Sequence, residues 1–257
     1  MKLRTLALTA VLAASTLALS GCLIVPMGPQ VSQDRDVDTD VHQVVLKTAG
    51  DLVVTLGDEP GLSVTAASNV IDRITSESSD GVLTLATVRG PGWFSGEVRF
   101  ELTVTSLDSL EIQGMGDVRA DFSGARDVSL VISGAGDVEA TGIDAQSVTV
   151  DIRGTGDVGL PSLRAETLEV TIAGAGAVTP VGEVTRQDVQ IRGAGSFKGE
   201  QLRSAEATVH IAGAGDVTVY VTEHLDASIA GAGSIKHTGG AQVESSISGA
   251  GDISPLR

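Results

Sequence analysis

The sequence predicts an all-β chain, a parallel β-helix or solenoid with rungs of about 20 residues. Three observations carry this. A Gly-x-Gly triplet begins at Gly114, Gly134, Gly154, Gly174, Gly193, Gly213, Gly231 and Gly249, at spacings of 20, 20, 20, 19, 20, 18 and 18 residues. Around each triplet apolar residues alternate with polar ones, as in Val148-Thr149-Val150-Asp151-Ile152, which is the period of a strand with one buried face. β-Branched residues dominate those apolar positions, and they suit a pleated surface better than a helix.

Each part of the repeat has a physical reason. Ile112, Ile132, Ile152, Ile172, Ile191, Ile211, Ile229 and Ile247 stand two residues before the triplets. Val118, Val138, Val158, Val178, Phe197, Val217, Ile235 and Ile253 follow four residues after each first glycine. Stacked rungs would align the isoleucines as one inner wall and the second series as another. Glycine fits where the chain bends between walls, because it tolerates close backbone approach. A propeller blade needs about 40 residues, twice this period. A stack of antiparallel hairpins turning at each triplet has the same periodicity and is the alternative.

Upstream, residues 43–112 are strand-like without that repeat. Leu52-Val53-Val54-Thr55-Leu56, Leu83-Thr84-Leu85 and Val98-Arg99-Phe100-Glu101-Leu102-Thr103-Val104 alternate or run apolar, and Asp80-Gly81 marks a turn. Gly90 to Gly96 reads as a loop carrying Trp93 and Phe94. No linker separates this part from the repeats. One domain over 43–257 is expected, with 43–112 as less regular N-terminal rungs and 110–257 as the repeats.

The first segment reads as an address. Lys2 and Arg4 give a positive start, Leu6 to Ala18 is apolar, and the run ends Leu19-Ser20-Gly21-Cys22. This resembles the lipobox of bacterial lipoproteins, with 1–21 as signal peptide. The resemblance implies lipidation of Cys22 and, with Leu23 behind it in a Gram-negative host, an outer-membrane destination. Two or more acyl chains anchor a protein stably. Residues 22–42 then read as the lipidated cysteine and a flexible tether, since Pro26, Gly28 and Pro29 break structure and 30–40 is polar.

Composition narrows the function. Thirty-three Asp and Glu against 17 Lys and Arg give a formal charge of −16, so nucleic acid is not expected as a partner. One cysteine rules out an internal disulfide. Hydrophobic residues reach 42%, enough for a core and unlike a disordered acidic tail.

The stretch Leu107-Asp108-Ser109-Leu110-Glu111-Ile112-Gln113-Gly114-Met115-Gly116-Asp117-Val118, the tandem Gly-Ala-Gly-Asp-Val units and the closing Ile247-Ser248-Gly249-Ala250-Gly251-Asp252-Ile253 resemble the bacterial head GIN domain. That family is labelled an auto-transporter adhesin. The resemblance covers about 43–257 and implies a β-helical fold. It brings no catalytic residues with it.

Candidate chemistry is sparse. Asp117, Asp137 and Asp157 begin a column that continues Ala177, Ser196, Asp216, Ser234 and Asp252. Stacked carboxylates could share calcium between rungs. The plainer reading is that Asp or Ser caps the tight turn with its side-chain oxygen; no cofactor is then required. No metal-ligating histidine motif, phosphate loop or cysteine nucleophile is present. Trp93 and Phe94 could contact a partner, or fold back over the core. The chain therefore reads as a non-enzymatic, lipid-anchored cell-envelope protein that offers a solenoid face to a protein or glycan. The alternatives are an envelope scaffold and a β-helical polysaccharide-active enzyme.

Overall fold

A computed structural model describes residues 28–88 and 97–256. The protein is a β-solenoid of about seven turns with rungs about 20 residues apart. The first part of the chain holds β1 (Gln30–Arg35), β2 (Gln43–Leu46), β3 (Asp51–Leu56), β4 (Gly61–Ala67), β5 (Ile74–Ser79), β6 (Val82–Thr87) and β7 (Arg99–Val104). The repeats hold β8 (Ser109–Ile112), β9 (Val118–Asp121), β10 (Asp127–Ile132), β11 (Val138–Thr141), β12 (Asp144–Ile152) and β13 (Val158–Ile172). They continue through β14 (Ala177–Ile191), β15 (Ser196–Ile211), β16 (Asp216–Ile229), β17 (Ser234–Thr238), β18 (Gln242–Ile247) and β19 (Asp252–Pro255).

The repeat strands pair in parallel, and the register is the sequence period itself. Ile132 lies beside Ile112, Ile152 beside Ile132, Ile172 beside Ile152, and Ile191 beside Ile172. The antiparallel-hairpin alternative is thereby excluded for the repeats. The isoleucine column is 0–1% exposed from Ile112 to Ile229, and the column from Val118 to Ile235 is 0–3% exposed. These two ladders flank the Gly-x-Gly bend and form the core. Burying each such side chain contributes about 1.5–3 kcal/mol. A polar pair interrupts the interior: Gln187 and Ser204 are 0% and 1% exposed, Gln187 Nε2 donates to Ser204 Oγ at 2.8 Å, and among the described residues Gln187 Oε1 has no partner.

The glycine columns are set by how closely rungs stack. A Cβ on Gly134 would fall inside the van der Waals shell of the Gly114 carbonyl oxygen, and one on Gly154 would do the same to Gly134. Any side chain there would push the rungs apart.

The N-terminal rungs are not stacked in chain order. β2 lies between β6 and β8, and β3 between β7 and β9, all in parallel. The chain therefore starts one rung in, loops outward, lays down β6 and β7 outside its own start, and returns to continue with β8. The outward loop is antiparallel: β4 pairs with β7 and with β1, and β5 pairs with β6. The connection from β4 to β5 crosses the end of the solenoid, where Val70, Ile71 and Ile74 are buried in the core.

One expectation is corrected here. Part of the segment read as a tether, 22–42, is structured: Gln30–Arg35 is the strand β1, and Val37 and Val41 are buried. Arg35 fastens it, donating from Nη1 to the Ile74 carbonyl at 2.8 Å and from Nη2 to that of Ile71 at 3.2 Å. Partial burial lowers the Arg35 pKa, with the nearby Asp72 charge acting in the opposite sense.

Candidate functional site

The aspartate column is the one candidate site on which sequence and structure meet. It begins a rung earlier than the triplets indicate, at Asp51. Leu46-Lys47-Thr48-Ala49-Gly50-Asp51-Leu52 repeats the pattern of Ile112 to Val118 with Thr48 in place of the first glycine, and Leu52 lies beside Val118. The signal for this rung was present in Ala49-Gly50-Asp51 and is masked only by Thr48.

Each carboxylate reaches across to the next rung. Asp51 Oδ1 accepts the Asp117 N–H at 3.2 Å, Asp117 Oδ1 that of Asp137 at 3.3 Å, Asp137 Oδ1 that of Asp157 at 2.8 Å, and Asp157 Oδ1 that of Ala177 at 2.8 Å. The expected turn cap is thus a cap between rungs. The reason lies one residue earlier. Gly116 and Gly136 adopt φ of 143° and 159°, and their N–H groups donate forward to the carbonyls of Ala135 and Thr155. The next N–H, of Asp117 and of Asp137, turns back instead and takes the preceding rung's aspartate oxygen as its acceptor. Beyond Ala177 the ladder changes. Ser196 N–H donates to the Gly176 carbonyl at 2.9 Å, and Asp216 N–H to that of Gly195 at 3.2 Å. A carboxylate is no longer needed there, which is why the column can carry Ser or Ala.

Asp117, Asp137 and Asp157 line one wall of a shallow groove of about 440 Å³ that also includes Leu160, Pro161 and Val181. Arg119 and Glu139 flank it, paired across rungs at 3.3 Å and largely exposed; such a pair contributes at most about 1 kcal/mol. Elsewhere on the outer surface Arg186 and Glu206 form a similar pair at 3.0 Å. Asp151 hydrogen-bonds Arg153 and raises its pKa. Arg164, Glu166 and Glu169 are exposed. Among the described residues no group of three or more His, Cys, Asp or Glu is placed to hold a metal ion. Cys22, Trp93 and Phe94 lie outside the described residues.

The cap predicts a graded mutational response. Asp157→Ala leaves the partly buried Ala177 N–H without its acceptor and should cost about 1–2 kcal/mol. Asp157→Asn keeps an oxygen at that place and should recover most of the loss in urea unfolding. Equal destabilisation by both variants would show that the charge matters, not the hydrogen bond.

The family model described as "Putative auto-transporter adhesin, head GIN domain" matches residues 40–241. A solved structure described as a putative adhesin from Parabacteroides distasonis is 22% identical, with TM-score 0.79, covering 89% of this chain and 98% of its own. A second, described as a putative lipid binding protein from the same species, is 21% identical with TM-score 0.81, covering 90% of this chain and 98% of its own. A putative adhesin from Bacteroides fragilis is 22% identical with TM-score 0.69, covering 90% and 99%. At these identities the likeness concerns the fold. Comparison with curated proteins finds no match.

Proposed function

The chain belongs to the head GIN domain family, and from that premise we propose that it is a lipid-anchored, non-enzymatic cell-envelope protein that binds a protein or glycan through a face of its solenoid. One observation supports this above others. The carboxylates that could have been acid–base groups each commit an oxygen to the next rung's backbone, in a groove that is shallow and open. They hold the scaffold together, and the exposed side chains beside them form the presenting surface. The net charge of −16 argues against a polyanionic partner. The anchor is Cys22, and in this reading it fixes the N-terminal end of the solenoid next to the outer membrane.

Protease shaving of intact cells tests the reading, with a known periplasmic protein as control. We expect the domain to be lost while the control survives, and expect Cys22→Ser to release the protein from the membrane fraction. Full protection of the domain would replace surface binding by a periplasmic scaffold role.

A further inference from the structure

The two ends of the solenoid are built differently. At the N-terminal end the β4–β5 connection covers the core. At the other end, among the described residues, nothing pairs with the outer side of β18. The inner ladders nevertheless continue into it. Val243 extends the column of Leu225, and Ile247 that of Ile229. Leu225 and Ile229 are 0% and 1% exposed, while Val243 and Ile247 are 37% and 47% exposed.

The free edge is also specific in its hydrogen bonding. Ser248 N–H donates back to the Ile229 carbonyl. In a parallel ladder the backbone groups of alternate residues point to opposite sides. The N–H and C=O groups of Val243, Ser245 and Ile247 therefore point outward, and these same residues direct their side chains toward the core.

We propose that this edge pairs with the β18 edge of a second copy, about a two-fold axis through Ser245. In that register Val243 faces the partner copy's Ile247, and Ser245 faces its own counterpart. Every outward N–H and C=O of these three residues then finds a partner. Apolar side chains meet apolar ones on the core side, and Glu244 faces Ser246 on the outer side, so no like charges are directly opposed. The contact is isologous and closes as a dimer. Because the same edge is used in both copies, the pairing leaves none over to extend a filament. Pro255, which has no N–H, blunts the neighbouring edge of β19. The contact needs no lipid anchor, so its test is separate from that of the surface reading.

The test uses the full chain carrying Cys22→Ser, which leaves it without cysteine. Sedimentation at micromolar concentration should give twice the chain mass. Adding Ser245→Cys places two thiols on the axis, with Cα atoms about 5.5 Å apart in a hydrogen-bonded antiparallel pair, within disulfide reach. Oxidation should cross-link it nearly completely, whereas Ser162→Cys, exposed on β13, should not. Val243→Lys with Ile247→Lys should give a monomer with an unchanged circular dichroism spectrum. A monomeric parent chain, or a dimer that survives the double lysine variant, would overturn the proposal.

Discussion

Gly154→Ala should prevent the solenoid from closing in its native register, at a cost of roughly 3 kcal/mol or more. The new Cβ would meet the Gly134 carbonyl oxygen, and the Ser133 carbonyl lies close behind. Both are backbone atoms of a rung already fixed by its own ladder, so no side chain can rotate away. The adjacent rungs must separate, and with them the hydrogen bonds from Arg153 and Gly154 to the Ile132 carbonyl. Gly61→Ala is the control. No atom stands within 4 Å of its Cβ position, and it should change stability by no more than about 1 kcal/mol. Thermal unfolding of the pair separates a steric requirement from a general glycine effect. Equal melting temperatures would refute the stacking argument.

Phe197→Ala should cost about 3–5 kcal/mol, lowering the melting temperature by roughly 10 °C. Within the repeats Phe197 stands in a ladder otherwise filled by valine and isoleucine, between Val178 and Val217. Its ring finds room because Gly199, two residues on and on the same face, has no side chain: a Cβ there would strike the ring. Without the ring, no neighbouring side chain at position 199 can fill the hole. The pair is therefore coupled. Gly199→Ala should destabilise the parent chain and cost less in the Phe197→Ala background, where only the Thr218 carbonyl oxygen, 3.0 Å from the new Cβ, still crowds it. Additive effects in that double-mutant cycle would mean that the two positions do not share the space.

The repeats were readable because the chain period and the stacking register are the same quantity. Once Ile132 and Ile152 are seen 20 residues apart, their neighbourhood follows. The N-terminal rungs lack that property. An alternating strand such as Leu52 to Leu56 announces a buried face but not its partner, so nothing in it says that β7 will lie on one side and β9 on the other. β1 was hidden for a different reason. It is an exposed, polar edge strand whose place depends on backbone pairing with β4 and on Arg35 reaching the carbonyls of Ile71 and Ile74. The aspartate column was visible as a column, but its task was not. Whether Asp137 caps its own turn or the next rung's amide depends on the direction of one glycine peptide, and residue identity does not record that.

The insertion of β2 and β3 between later strands also governs when the fold can form. As the chain emerges, its earliest rung has no neighbour on either side until residues 82–104 have been laid down outside it. Vectorial assembly from the N-terminus, one rung onto the last, is therefore unavailable at the start. The segment from 43 to 121 must gather as a single nucleus through contacts distant in sequence, which makes it the slow step. Only then does a surface exist onto which the later rungs, each adjacent to its predecessor in sequence, can zip rapidly toward the C-terminus.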